Sequence, residues 1–522
     1  MKKVFLIGLL FACAGAWAIP ARRDGRMMRA ADGMEKMVYM HGNEDMHYLT
    51  DAEGVWLDEQ TLMPMSEEAK AERLRMKSER AQRRAVQTTG LDRLLAPKGP
   101  VILVNFSDTV LTHSKEAMIE WATSDDYHAG GATGSIHKYF LDASFGQYDL
   151  QLDFYGPVTV SRTQAYYGGN VNNRDQRPGK MVKEACQLAD QQCGLDFSQY
   201  DYNGDGEVDW VVVVYAGQGE ADSYVENTIW PHQYMLSATS DQINLDGKRI
   251  NRYCCTNEIA WNGSLAGIGV FVHEFSHILG LPDLYTTNET DHKTLAMWDV
   301  MDYGVYNNDL MTPPMYSAYE RWWMGWMTPQ ILNGAADVTL AELNAGHTAA
   351  YLTENGTKVG NILQPDKAFY MLENRQQSGW DEYLPGHGLL ITKVNFDYNK
   401  WSGNMVNNTV SDMGVDILEA DGLTPYYNKN NRENGYFGKQ GDVYPYQTTT
   451  SFTRVTNYQL TDIAETNGVI TFKVNGGGEP TFLSVEDAKK EQVAKKILRD
   501  GQVIIIRGDK EYTILGYENH QL

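Results

Sequence analysis

His273-Glu274-Phe275-Ser276-His277-Ile278-Leu279-Gly280-Leu281-Pro282-Asp283 sets two histidines four positions apart with an acid next to the first. On a helix, His273 and His277 project from one face one turn apart, a spacing at which both imidazoles reach a single zinc ion. Glu274 stands beside them, placed to hold a metal-activated water and take its proton rather than to ligate. Gly280 stops the helix and lets the chain reverse. The reversal brings Asp283 back as third ligand, an oxygen donor that zinc accepts. The helix is expected from about Ser264 to Leu279, with Asn262-Gly263-Ser264 supplying N-cap chemistry.

Outward from this motif the pattern is mixed. Val101-Ile102-Leu103-Val104-Asn105-Phe106 and Trp210-Val211-Val212-Val213-Val214-Tyr215 are continuous apolar runs, as in strands buried on both faces. Helical stretches are expected near 115–124, 134–143 and 179–192. Past about 330, short strands alternate with Gly- and Asn-rich turns. The expected fold class is α+β: a catalytic domain over 97–330 with a mixed sheet and the motif helix, then a β-sandwich-like domain over 331–475. A small tail over 480–522 ends in a hairpin pattern around Gly508-Asp509 and is a candidate sorting segment.

The formal net charge of −23 argues against a polyanion such as nucleic acid, whose phosphates need clustered Lys and Arg. Met1-Lys2-Lys3, an apolar run to Ala16 and then Ala16-Trp17-Ala18 read as a signal peptide cut after Ala18, so a secreted or cell-surface protein is expected. No later apolar run approaches the roughly 20 residues of a membrane-spanning helix. Cys186, Cys193, Cys254 and Cys255 remain: adjacent Cys254 and Cys255 favour cross-pairing with the other two over bridging each other, the alternative being that some stay as free buried thiols.

Residues 19–65 read as a small β-rich unit with a turn near Gly54, followed by a charged helix over 66–86. That helix is either a solvated linker or a connector between a prosegment (19–90) and an enzyme, cut near Arg83-Arg84. No cysteine lies between Ala18 and Cys186, so a blocking group would be a carboxylate, an imidazole or bulk alone. Asp45, Asp51 and Asp58 are the carboxylate candidates.

A second metal loop is suggested by Asp201, Asn203, Asp205, Glu207 and Asp209, oxygen donors at alternate positions around Gly204 and Gly206. It matches the first nine positions of an EF-hand loop, but Val212 stands at the twelfth. The loop is therefore either a calcium site completed from elsewhere or an acidic turn before a strand.

Trp298-Asp299-Val300-Met301-Asp302-Tyr303-Gly304 resembles the methionine turn of metzincins, which implies Met301 beneath the zinc and Tyr303 as a transition-state hydrogen-bond donor. With these motifs, Ile229-Trp230-Pro231-His232 and the acidic loop running into Trp210–Gly217, residues 97–330 resemble the immune inhibitor A family of secreted bacterial metallopeptidases. Weaker likeness continues through Tyr370–Arg375 and Leu384–Gly388. The resemblance implies a zincin-type zinc endopeptidase acting on proteins or peptides, made as a precursor, with calcium as a common structural ion. Two alternatives stand beside it: a catalytically silent surface binding protein of the same fold, and a cysteine peptidase using Cys254 or Cys255. Oligomeric state is not legible.

Overall fold

The structure, a computed structural model, describes residues 18–81 except 45, residues 96–478 except 171–174, 289–291, 333, 354–367, 427–433 and 456, and three strands within 494–513. Residues 1–17 of the expected signal peptide and the expected cut near Arg83-Arg84 lie outside the described residues.

The two apolar runs are neighbours in a five-stranded sheet ordered Gln151–Thr159, Lys98–Asn105, Val211–Gln218, Arg252–Ile259, His232–Met235. The first four strands are parallel and the last pairs antiparallel, at the edge. Each run is buried because alternate residues serve two cores. Val101, Leu103, Val212 and Val214 pack with the helices Lys115–Thr123, Ile136–Ala143 and Gly269–Ile278. Ile102, Val104, Val211 and Val213 pack with the helix Pro178–Cys193 on the other face. Helices cover both sides, which is why these strands read as unbroken apolar stretches.

The same alternation corrects the disulfide expectation. Cys254 faces the first core and Cys255 the second, whereas Cys186 sits only in the second, and all four thiols are free.

The motif helix begins at Gly269, not Ser264. Asn262 Oδ1 accepts from Ser264 N–H at 3.0 Å and so closes a local turn instead of capping the helix. Gly269 N–H donates to Leu310 C=O at 2.8 Å, and a Cβ there would lie 2.4 Å from the Val305 carbonyl oxygen. This close approach seats the helix start against the 305–310 backbone.

Residues 330–474 form a five-stranded and a four-stranded sheet. In the strand Phe369–Arg375, Phe369 and Met371 face the core that contains the motif helix, while Tyr370 and Leu372 face the four-stranded sheet's Phe472 and Leu460 in another core. One apolar cluster therefore crosses the boundary expected near 330.

The N-terminal unit is a four-stranded sheet, Arg26–Arg29, Glu35–Asn43, Met46–Thr50 and Trp56–Leu57, followed by the helix Glu67–Ala81. Its apolar side does not close on itself. Ala18, Ile19, Ala21, Val38, Met40 and Leu49 share a cluster with Trp230, Val270, Val305 and Leu310, residues around the motif helix. At the other end, Gln502–Arg507 and Lys510–Thr513 pair as expected, with an unexpected third strand, Ala494–Arg499. Among the described residues no helix is long and apolar enough to cross a membrane.

Candidate metal centre

His273 and Glu274 lie on one turn and His277 on the next turn of a helix that is buried throughout. Past it, Gly280 takes φ 96°, a left-handed conformation open to glycine, and the chain turns back. Asp283 Oδ1 then lies 3.1 Å from His273 Nε2 and 3.3 Å from His277 Nε2, and the two Nε2 atoms are 3.2 Å apart.

These atoms are placed to share one cation. His273 Nδ1 donates to Val300 C=O at 2.8 Å and His277 Nδ1 to Leu281 C=O at 2.7 Å. Carbonyls only accept, so both Nδ1 atoms carry a proton, and both rings turn Nε2 toward one carboxylate oxygen. Ligands bound about 2.0–2.1 Å from a tetrahedral zinc are separated by about 3.3 Å, so the triangle fits that ion. Among the described residues this is the group of three His, Cys, Asp or Glu donors close enough to share a metal. Burial pushes the His273 imidazole down, and against the upward push of burial the adjacent His277 and His273 hold the Asp283 carboxyl well below the usual range.

Residues far along the chain aim Asp283. Asn404 Nδ2 donates to Asp283 Oδ2, and Asn404 Oδ1 accepts from Asp283 N–H at 2.7 Å. The turn holding Met301 is tied to the same place. Val300 supplies the carbonyl that fixes His273, and Leu284 N–H donates to Met301 C=O at 2.8 Å. Met301 itself is buried in the core beside the helix. Tyr303 is buried, with the Arg23 guanidinium 5.3 Å over its ring and Phe437 against it.

Glu274 has a partner that the sequence did not announce. Ile19 N–H donates to its Oε1 at 2.9 Å. Burial pushes the Glu274 carboxyl well above the ordinary range, against the pull of that N–H. The chain around Ile19 is held atom by atom: Tyr285 O–H donates to Ala18 C=O at 2.6 Å, Trp230 Nε1–H to Ile19 C=O at 3.1 Å, and Tyr306 O–H to Pro20 C=O at 2.6 Å. Arg22 N–H then donates to Ala221 C=O at 3.0 Å. Of the blocking candidates, Asp51 accepts from Glu53 and Val55 N–H and Asp58 from Thr61, so both stabilise turns; Asp45 lies outside the described residues.

In the acidic loop, Asp201 pairs with Lys248 at 2.7 Å and Glu207 with Arg249, so protein cations already face two of its carboxylates. Asn203 Nδ2 donates to Asp205 at 3.0 Å, and Asp209 accepts from Tyr202 N–H at 2.7 Å. Cys254 and Cys255 are buried thiols pushed well up by burial. His232 Nδ1, 3.5 Å from Cys255, gives its proton to Trp230 C=O at 2.8 Å and has no lone pair to offer as a base.

Comparison with known proteins agrees with the motif reading. Residues 96–327 match the family described as immune inhibitor A peptidase M6, catalytic domain. The chain is 26% identical over 265 residues to immune inhibitor A of Bacillus thuringiensis subsp. alesti, covering 44% of this chain and 37% of that protein. It is 32% identical over 193 residues to the pre-pro-metalloprotease PrtV of Vibrio cholerae serotype O1 (strain M66-2), covering 33% of this chain and 21% of that one. The matches thus span about a third or less of these relatives' lengths.

Proposed function

We propose that this chain, with a peptidase M6 catalytic domain of immune inhibitor A type at residues 96–327, is an exported zinc endopeptidase that cleaves proteins or peptides and is made as a latent precursor. The observation that carries the reading is the convergence of His273 Nε2, His277 Nε2 and Asp283 Oδ1, with Glu274 next in sequence to one ligand. Zinc bound there supplies a Lewis acid that polarises a peptide carbonyl and an attacking water. Glu274 takes the water's proton and passes it to the leaving nitrogen as the C–N bond breaks. Asn404 and the Val300 and Leu281 carbonyls hold the ligands in orientation.

Latency is supported by the N-terminal unit. Residues 19–22 fill the ground in front of Glu274, and the small sheet shares an apolar cluster with the catalytic domain's Trp230 and Val270. Opening would follow cleavage in the Arg-rich helix near Arg83-Arg84 or just after it, before Pro97, and loss of this unit, with residues 1–18 removed earlier as the export signal. A calcium ion in 201–209 belongs to the same reading and would have to displace the Lys248 ammonium from Asp201.

The test is metal analysis and activity of protein processed by limited proteolysis, on a casein-like substrate. The reading expects about one zinc per chain, loss of activity with a zinc chelator and recovery with added zinc. Activity indifferent to chelation and abolished by a thiol-blocking reagent overturns it.

A further inference from the structure

Two arginines of the N-terminal unit share one landing place on the catalytic domain. Arg22 pairs with Asp309 at 2.5 Å, and its guanidinium lies 5.5 Å over the Trp261 ring and 5.7 Å over the Tyr306 ring. The Arg26 guanidinium lies 4.8 Å over the same Trp261 ring and donates to the adjacent carbonyls of Asp222 and Ser223, the latter at 2.9 Å. The catalytic domain fixes this surface with its own bonds. Trp261 N–H donates to Asp222 Oδ2 and Trp261 Nε1–H to Asp309 Oδ1, each at 3.1 Å, so the two acids orient the ring. Asn308, Asp309 and Leu310 take positive φ of 47°, 56° and 72°, and the Leu310 carbonyl of this strained turn accepts from Gly269 N–H. The turn that seats the motif helix therefore also presents Asp309.

Both arginines belong to the part of the chain that activation removes. Asp222 is 2% exposed, and burial pushes its carboxyl up to about 6 against the pull of the Trp261 N–H, Arg22 and Arg26. A carboxylate this deep is costly without a cation beside it. The face also lies close to the chemistry: Ile19 N reaches Glu274 Oε1 at 2.9 Å, and the three residues on to Arg22 span at most about 10 Å. Resting on the zinc endopeptidase reading, we propose that Trp261, Tyr306 and Asp309 form a subsite for an arginine side chain of the substrate, which Arg22 fills until the N-terminal unit leaves. The chemistry favours a guanidinium over an ammonium, because a flat cation stacks on the rings while its fork meets a carboxylate or a pair of carbonyls. The released enzyme selects proteins and peptides that carry arginine within about four residues of the bond it cuts.

The experiment uses the full chain processed by limited proteolysis and separated from its N-terminal unit. Cut sites in an unfolded protein mixture are mapped by mass spectrometry, and quenched peptides with Arg, citrulline, Lys or Ala at the enriched position are then compared. Citrulline keeps the shape of arginine and loses its charge, so it isolates the cation without any change to the enzyme. The arginine peptide is expected to exceed the citrulline and alanine peptides by about tenfold or more in kcat/KM, with lysine between them. Asp309→Asn and Trp261→Ala should each lower the arginine-to-alanine ratio by about threefold or more with zinc content unchanged. Asp337→Asn, an exposed acid on the strand Ala336–Leu340, should leave the ratio as it is. If Trp261→Ala melts early, Asp309→Asn and the citrulline peptide decide. Cut sites without arginine enrichment, a citrulline peptide cleaved as fast as the arginine peptide, or a ratio that survives both variants overturns the subsite and leaves the metallopeptidase reading standing. Wild-type activity that persists in a zinc chelator overturns that reading instead.

Discussion

Replacing Arg22 by alanine should loosen the N-terminal unit without touching the metal centre. The Arg22 guanidinium pairs with Asp309 at 2.5 Å and Asp24 at 3.0 Å and lies 5.5 Å over the Trp261 ring and 5.7 Å over the Tyr306 ring. The Asp309 side chain is 40% exposed, so solvent screens the pair, and about 1 kcal/mol is a fair value for it. Two cation–π contacts, one face of each partly wet, add about 1–2 kcal/mol together. The backbone contact through Arg22 N–H survives the change. The sum of about 2–3 kcal/mol corresponds to about a 30- to 150-fold shift of the docked unit toward release. The assay is the activity of full-length protein with an intact N-terminus, on a quenched peptide, before and after limited proteolysis. Activity before proteolysis should rise by about that factor, activity after it should not change, and Glu35→Ala, an exposed change on the same sheet, should do neither. Unprocessed Arg22→Ala protein as silent as wild type, or wild-type precursor already as active as the processed form, refutes latency through this unit.

Asp283→Ala should lower zinc affinity strongly while far-ultraviolet circular dichroism stays native, since one of three ligands is lost from an otherwise packed core. Asn404→Ala, which leaves the ligand but frees its second oxygen, should cost about 10–100-fold in zinc affinity by competition with a chelating dye. Unchanged affinity in both variants assigns that corner of the site to another residue. Added calcium should raise the melting temperature, and Asp205→Ala should abolish the rise, because an ion that binds only the folded loop stabilises it by mass action. A melting temperature indifferent to calcium leaves 201–209 as a turn closed by Lys248 and Arg249.

The parts legible in the sequence are those fixed by local geometry. The i, i+4 spacing of His273 and His277 places two ligands, and Gly280 marks the reversal that returns Asp283. The unbroken valine runs announced strands covered on both faces. What stayed illegible depends on contacts between distant residues. Asn404 meets Asp283 across 121 positions and Ile19 meets Glu274 across 255. The expected helix start at Ser264 failed because Asn262 has two local uses, and the sequence does not tell a capped helix from a closed turn. The cysteine pairing failed because adjacent strand residues face opposite cores, a fact that depends on the whole sheet being buried.

The most direct test of the account is Glu274→Gln. The amide keeps an oxygen for Ile19 N–H, keeps the side-chain volume in a fully buried position and leaves His273, His277 and Asp283 untouched, so zinc binding and fold should be retained. Zinc content and proteolytic rate measured together on the processed protein should give about one zinc per chain with activity lowered by several orders of magnitude. Full zinc occupancy with near-normal proteolysis would contradict the assignment of Glu274 as the base, and with it the mechanism built on this helix.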